Sequence, residues 1–198
     1  AEIGFEMYQK ILDEAIRDLR RTEFKELFKG EIAKQDDFVQ DCTIDTDLEI
    51  LIPDDYVESI TERLSLYQRL DNCETDEELE LMKQEMHDRF GPIPQQVEDL
   101  FITVGCRKLA VALGFEKMSL KENTQRCFFI NRADSPYFES ATFQKIIEFL
   151  QTGTNKAKLK QTGKLFMLIA NNMNSMEEMH RFLQSMHTFC FSSVKIPQ

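Results

Sequence analysis

No apolar run in this chain is long enough to cross a bilayer; the longest, such as Leu165–Ala170, reach about a third of the ~20 residues a spanning helix needs. An amino-terminal charged-then-apolar segment of the kind that directs secretion is also missing. The expectation is a soluble protein of the cytoplasm. The five cysteines, Cys42, Cys73, Cys106, Cys127 and Cys190, are odd in number and widely scattered, which offers neither a disulfide framework nor a metal-ligand spacing. No Gly-x-Ser-x-Gly elbow and no His-Glu-x-x-His helix occurs, so hydrolase and metalloenzyme chemistry has no foothold. Positive charge is scarce where it would matter for nucleic acid: residues 31–60 hold one Lys or Arg against ten Asp or Glu, and residues 61–100 four against eleven. Such a surface repels a phosphate backbone and attracts basic protein surfaces.

Hydrophobic content of 42% with sixteen Phe and nine Met is enough to build a packed core, so the chain is a globular protein of one medium domain or a domain with an arm. The last ninety-eight residues reverse the charge, with thirteen Lys or Arg against seven Asp or Glu.

Periodicity predicts an α+β protein. Phe5, Tyr8, Leu12, Ala15 and Leu19 recur at helical spacing and Gly30 ends the pattern, which reads as an amino-terminal helical arm over 1–30. An acidic linker over 31–42 follows, and then a domain over 43–198. Alternation of Ile44, Thr46, Leu48, Ile50 and Ile52 with acidic residues predicts a strand. Three helices should follow over 54–114: one capped by Asp54, a second opened by the Thr75–Glu78 capping box and closed by Gly91-Pro92, and a third closed by Gly114. The remainder reads β-β-α-β-β-α, a small antiparallel sheet with helices, with Thr162-Gly163 turning the second hairpin.

Few constellations survive a test for chemistry. Asp45, Asp47 and Glu49 open like a calcium loop, but Ile50 stands where that loop needs Gly and Tyr56 where it needs a bidentate Glu. Gly163-Lys164 lacks the rest of a phosphate loop. His180 and His187, seven residues apart on one helix, are separated by about 10 Å, too far for one metal. His87 sits on a polar helix face. Lys156, Lys158, Lys160 and Lys164 could track DNA, or could guard an exposed sheet edge against pairing, and the edge reading is preferred. No catalytic, cofactor-binding or metal residue is expected. On the helix from Thr75 to Phe90, Glu85 and Asp88 stand within a turn of each other with Arg89 beside them. They form either an anionic dock for arginines or a solvated face carrying a Glu85–Arg89 pair, and from pattern alone the solvated face is preferred.

Four runs carry a resemblance: Ile52-Pro53-Asp54-Asp55-Tyr56-Val57, Arg63-Leu64-Ser65-Leu66-Tyr67, Asp88-Arg89-Phe90-Gly91-Pro92-Ile93-Pro94, and Leu113-Gly114-Phe115-Glu116-Lys117. Together with the opening Gly4–Leu12 segment they resemble the carboxy-terminal domain of bacterial transcription-repair coupling factors (Mfd). The likeness covers residues 3–117 well and thins to a similar element order beyond. It implies a parent that is an ATP-driven DNA translocase, which removes stalled RNA polymerase and recruits nucleotide excision repair, and whose motor motifs this chain lacks. It implies that the domain packs on the parent's UvrB-like amino-terminal region, covers the surface that recruits UvrA, and so autoinhibits. In that family, interface carboxylates map onto Glu85 and Asp88 with Arg89 adjacent, which favours the docking reading. A DNA-contacting role for the lysine-rich strand is the alternative.

Overall fold

The computed structural model describes residues 38–132, 134–152, 157–163 and 165–192. The arm expected over 1–30, Lys156, Lys164 and the last six residues lie outside the described residues.

A five-stranded sheet has the order β1-β2-β3-β5-β4. Its members are β1 (Thr43–Thr46), β2 (Phe115–Lys121), β3 (Thr124–Phe129), β4 (Ala157–Thr162) and β5 (Leu165–Asn171). β2, β3, β5 and β4 pair antiparallel, and β1 lies parallel to β2 with Thr43 opposite Lys117 and Thr46 opposite Leu120. Parallel pairing needs a crossover. Here three helices supply it: α1 (Ile60–Asp71), α2 (Asp76–Phe90) and α3 (Gln95–Leu113). α4 (Ala141–Gln151), preceded by a 3-10 turn at Pro136–Glu139, and α5 (Met176–Phe191) complete the fold.

Local chemistry explains most boundaries. Glu78 N–H donates to Thr75 Oγ1 at 3.1 Å while Thr75 N–H donates to Glu78 Oε2 at 3.2 Å, which completes the expected capping box of α2. The Ser140 and Ser175 hydroxyls accept the Phe143 and Glu178 N–H groups and cap α4 and α5. Gly114 closes α3 at φ +85°, and a Cβ there would stand 2.2 Å from the Tyr137 ring, so only glycine fits. Glu122 and Asn123, both at positive φ, form a two-residue turn of type I′ between β2 and β3.

Two expectations need correction. The strand foreseen from Ile44 to Ile52 stops at Thr46, because its neighbour β2 runs out at Lys121: Asp47 N–H donates to Leu120 O at 3.4 Å, and the chain bends away. The alternation beyond it places Leu48 and Ile50 against one core and Ile52 in another without a ladder. Asp54 is also not the cap of α1. Residues 53–57 form a turn, and Ser59 accepts the Glu62 N–H instead. Phe38, Val39 and Cys42, read as the end of the acidic linker, pack with the sheet core.

The described residues build two cores. The larger one lies between one face of the sheet and α3, α4 and α5, around Phe115, Phe129, Tyr137, Ile146, Leu168 and Leu183. The smaller joins α1, α2 and the first half of α3 through Leu66, Leu70, Met82, Met86, Val97 and Phe101.

Candidate protein-docking site

α1 and α2 form an antiparallel hairpin whose inner side is apolar. Leu79, Met82 and Met86 of α2 are buried, as their spacing predicts. The same spacing turns Glu85 and Arg89 along the seam between the two helices. Arg69 of α1 donates to Glu85 with both nitrogens, Nη1 to Oε1 at 2.9 Å and Nη2 to Oε2 at 2.5 Å. Arg89 adds a bond to Glu85 Oε1 at 3.1 Å and a second to Glu62 of α1. Two arginines and two carboxylates thus alternate down the hairpin. The Arg69 bonds hold the Glu85 carboxyl down to about 2, with Arg89 contributing further. The Arg89 guanidinium also lies 4.8 Å from the Phe90 ring, and Phe90 meets Tyr56 edge to face. Tyr56 Oη lies 3.2 Å from the Met86 and Gly91 carbonyls, which ties the end of α2 to the turn at 53–57.

Asp88 is placed differently. Its side chain is 82% exposed, and among the described residues the one titratable side chain within 4 Å that could pair with it is His87, with Nδ1 3.7 Å from Oδ1. It lines a surface hollow of about 540 Å³, whose wall also carries Glu80, Lys83, Gln84, His87, Pro92, Ile93 and Glu98. Glu98 is engaged by Lys83 at 2.5 Å. Glu80 accepts from Gln84 Nε2 at 3.5 Å, so Asp88 is the acid of the hollow with the most acceptor capacity left, beside the apolar Pro92 and Ile93, an arrangement that suits the charged head and aliphatic stem of an arginine or lysine. Glu85 and Asp88 are consequently not equivalent: one locks the hairpin and the other faces solvent. The i, i+4 pair between Glu85 and Arg89 foreseen from spacing is present, whereas Arg69 and Glu62 come from a neighbouring helix that linear spacing does not disclose.

The remaining candidates fall elsewhere. Asp45 is bound by Lys121 Nζ at 2.8 Å and Asp47 accepts the Glu122 N–H at 3.0 Å, so the calcium-like acids serve the sheet edge. His180 and His187 are half-buried in a cleft of about 430 Å³ between α2, α3 and α5, where burial depresses both imidazoles below the usual histidine range. Burial pushes the Cys42 and Cys106 thiols up to about 12, which removes nucleophilic character. No group of three or more potential metal ligands is assembled among the described residues. No helix among them is long and apolar enough to cross a membrane. Lys158 and Lys160 lie exposed on the edge strand β4, on the sheet face away from the helices.

The chain is similar to known proteins. A family model described as the TRCF domain matches residues 46–140, a span that starts at the last residue of β1 and holds α1, α2, α3, β2 and β3. The chain is 34% identical over 165 residues to a transcription-repair-coupling factor of Rickettsia bellii, covering 83% of this chain and 13% of that protein. It is 31% identical over 120 residues to the protein of the same name from Escherichia coli, covering 61% of this chain and 10% of that protein. The chain thus spans a small part of the curated relatives it matches. Among solved structures, the crystal structure of the C-terminal domain of a transcription-repair coupling factor superposes with a TM-score of 0.64 at 17% identity, covering 77% of this chain and 96% of that one.

Proposed function

Because the chain carries the TRCF domain of the transcription-repair-coupling factors, with the fold of their carboxy-terminal domain, we propose that it is a regulatory docking module. In this reading it packs on the UvrB-like amino-terminal region of its own parent protein and covers the surface that recruits UvrA. The parent is an ATP-driven DNA translocase that displaces stalled RNA polymerase and hands the site to nucleotide excision repair. This domain supplies no catalytic step. It sets whether the recruiting surface is open.

The observation that carries the reading is Asp88, an exposed carboxylate on a fixed helix end beside a hollow with further acids. Arginines of the facing region would enter there. Glu85 already accepts three N–H bonds from Arg69 and Arg89, leaving about one of a carboxylate's roughly four acceptor positions for an incoming donor. Its contribution is chiefly to hold α2 in place, and Arg89 shares that role. Close charge pairs across such interfaces couple by about 1.5–7 kcal/mol, with exposed pairs well below that range.

Calorimetric titration of this chain with the amino-terminal region of its parent tests the proposal. Wild type should bind, Asp88→Arg should weaken binding at least about tenfold, equivalent to ~1.4 kcal/mol, and Glu85→Gln should weaken it less. Undiminished binding by Asp88→Arg, or absence of binding by wild type, overturns the assignment.

A further inference from the structure

The sheet has one face under the helices and one that no described helix covers. Cys127, Phe129, Leu168 and Ala170 point into the larger core. Alternation then sends Arg126, Phe128, Leu165, Met167 and Ile169 to the opposite face, and its four apolar members belong to neither core. Register joins them into rows: Lys117, Phe128, Met167 and Lys160 lie side by side, and Ser119, Arg126, Ile169 and Lys158 form the next row. An apolar centre is therefore flanked by a lysine column on β2, Lys117 and Lys121, and another on β4, Lys158 and Lys160. Lys121 is paired with Asp45, while Lys117, Arg126, Lys158 and Lys160 have no ion pair among the described residues.

We infer that this open face is a second docking surface, built for an acidic amphipathic helix of a protein partner. The width supports a single helix. β2 and β4 are three strand spacings apart, about 14 Å, and a helix with its side chains is ~10–12 Å across. A leucine-type stripe would sit on Phe128, Met167 and Ile169 while glutamates on its flanks meet the two lysine columns. Charge selects the partner's sign, because residues 31–100 are strongly acidic whereas this face carries Lys117, Arg126, Lys158 and Lys160. A single-stranded nucleic acid would use the same cations, but its bases need stacking platforms. Phe128 is the one aromatic on this face among the described residues, and Leu165, Met167 and Ile169 are aliphatic. The surface is distinct from the Asp88 hollow and does not depend on that reading.

The test uses the full chain and a fluorescent synthetic peptide, a helix of about five turns with a leucine stripe flanked by glutamates, followed by anisotropy at low salt. Binding with Kd on the order of 10–100 μM is expected for one short helix on such a face. The exposed double variant Lys117→Glu/Lys160→Glu should weaken it at least about tenfold. Asp88→Asn should leave it unchanged. Amide shifts in heteronuclear NMR spectra should concentrate at Phe128, Met167 and Ile169. The proposal falls if the peptide does not bind, if the double variant binds it equally, or if a lysine-flanked peptide binds as well. Tighter binding of a single-stranded oligothymidylate, lost in the same variant, would instead make the face a nucleic-acid platform and overturn the protein assignment.

Discussion

The two ends of α3 stand in different kinds of protein. Its first half, with Val97, Phe101 and Val104, belongs to a small helical core whose hairpin is laced by charges; its second half, with Cys106, Ala110 and Leu113, belongs to a larger sheet core built by apolar packing and aromatic contacts. Around Tyr137 alone, Phe38, Phe129, Phe138 and Phe143 have ring centroids within 5.5 to 6.0 Å. Burial contributes roughly 1.5–3 kcal/mol per large apolar side chain, whereas exposed ion pairs contribute at most about 1 kcal/mol each. The difference teaches that the helical half is the more easily remodelled one, and it is also the half that bears the proposed dock.

The largest effect is expected where the halves join. Gly114→Ala places a Cβ against the buried Tyr137 ring at a left-handed backbone position, which combines about 1–2 kcal/mol of backbone cost with about 1–3 kcal/mol of overpacking. Urea denaturation should show a loss of about 2–5 kcal/mol. An unchanged midpoint would mean that the α3–β2 junction yields where it is described as tight. Tyr137→Phe is milder: it removes the hydroxyl that donates to Leu113 O at 2.5 Å in the interior and should cost about 1–2 kcal/mol. Both changes should lower the stability of the sheet half and leave the Glu85 seam chemically intact.

Glu85→Gln probes the other half and should cost about 1 kcal/mol or less, because the Arg69 and Glu85 side chains are 44% and 38% exposed and solvent screens the pair. Its pH dependence is the sharper reading. The folded Glu85 carboxyl lies near 2, below its ordinary value of 4.5, so the ion pair stabilises the fold fully above about pH 4.5 and is lost as pH falls toward 2. The stability difference between wild type and Glu85→Gln should therefore be constant from pH 7 to 5 and shrink below 4.5. A difference that grows on acidification would rule out the described pairing.

Sequence pattern carried unequal weight in the two halves. The capping box at Thr75, the stops at Gly91 and Gly114 and the four antiparallel strands were legible because they are set by neighbours within a few residues. The parallel strand β1 was misjudged in length because its end depends on where β2 stops, some seventy residues later. Likewise, Glu85 and Asp88 look alike along the helix. Their roles separate only when Arg69 and Glu62 arrive from α1, and that pairing depends on how the hairpin closes. The open sheet face escaped notice for the same reason: Lys117, Phe128, Met167 and Lys160 become a row only through strand register.

The smallest stability effect should come from the residue with the largest proposed effect on docking. Asp88→Asn removes a charge that is 82% exposed and whose one ion-pairing neighbour among the described residues is His87 at 3.7 Å, so the unfolding free energy should move by no more than about 0.5 kcal/mol. If Asp88 meets an arginine of the facing region, the same variant should still weaken docking severalfold, and raising the salt should erase part of that difference by screening the lost attraction. Glu85→Gln should show the opposite balance, a measurable stability loss with a smaller docking loss. Were both variants to change stability and docking in proportion, the seam and the hollow would act as one structural unit, and the separation of α2 into a locking carboxylate and a docking carboxylate would not hold.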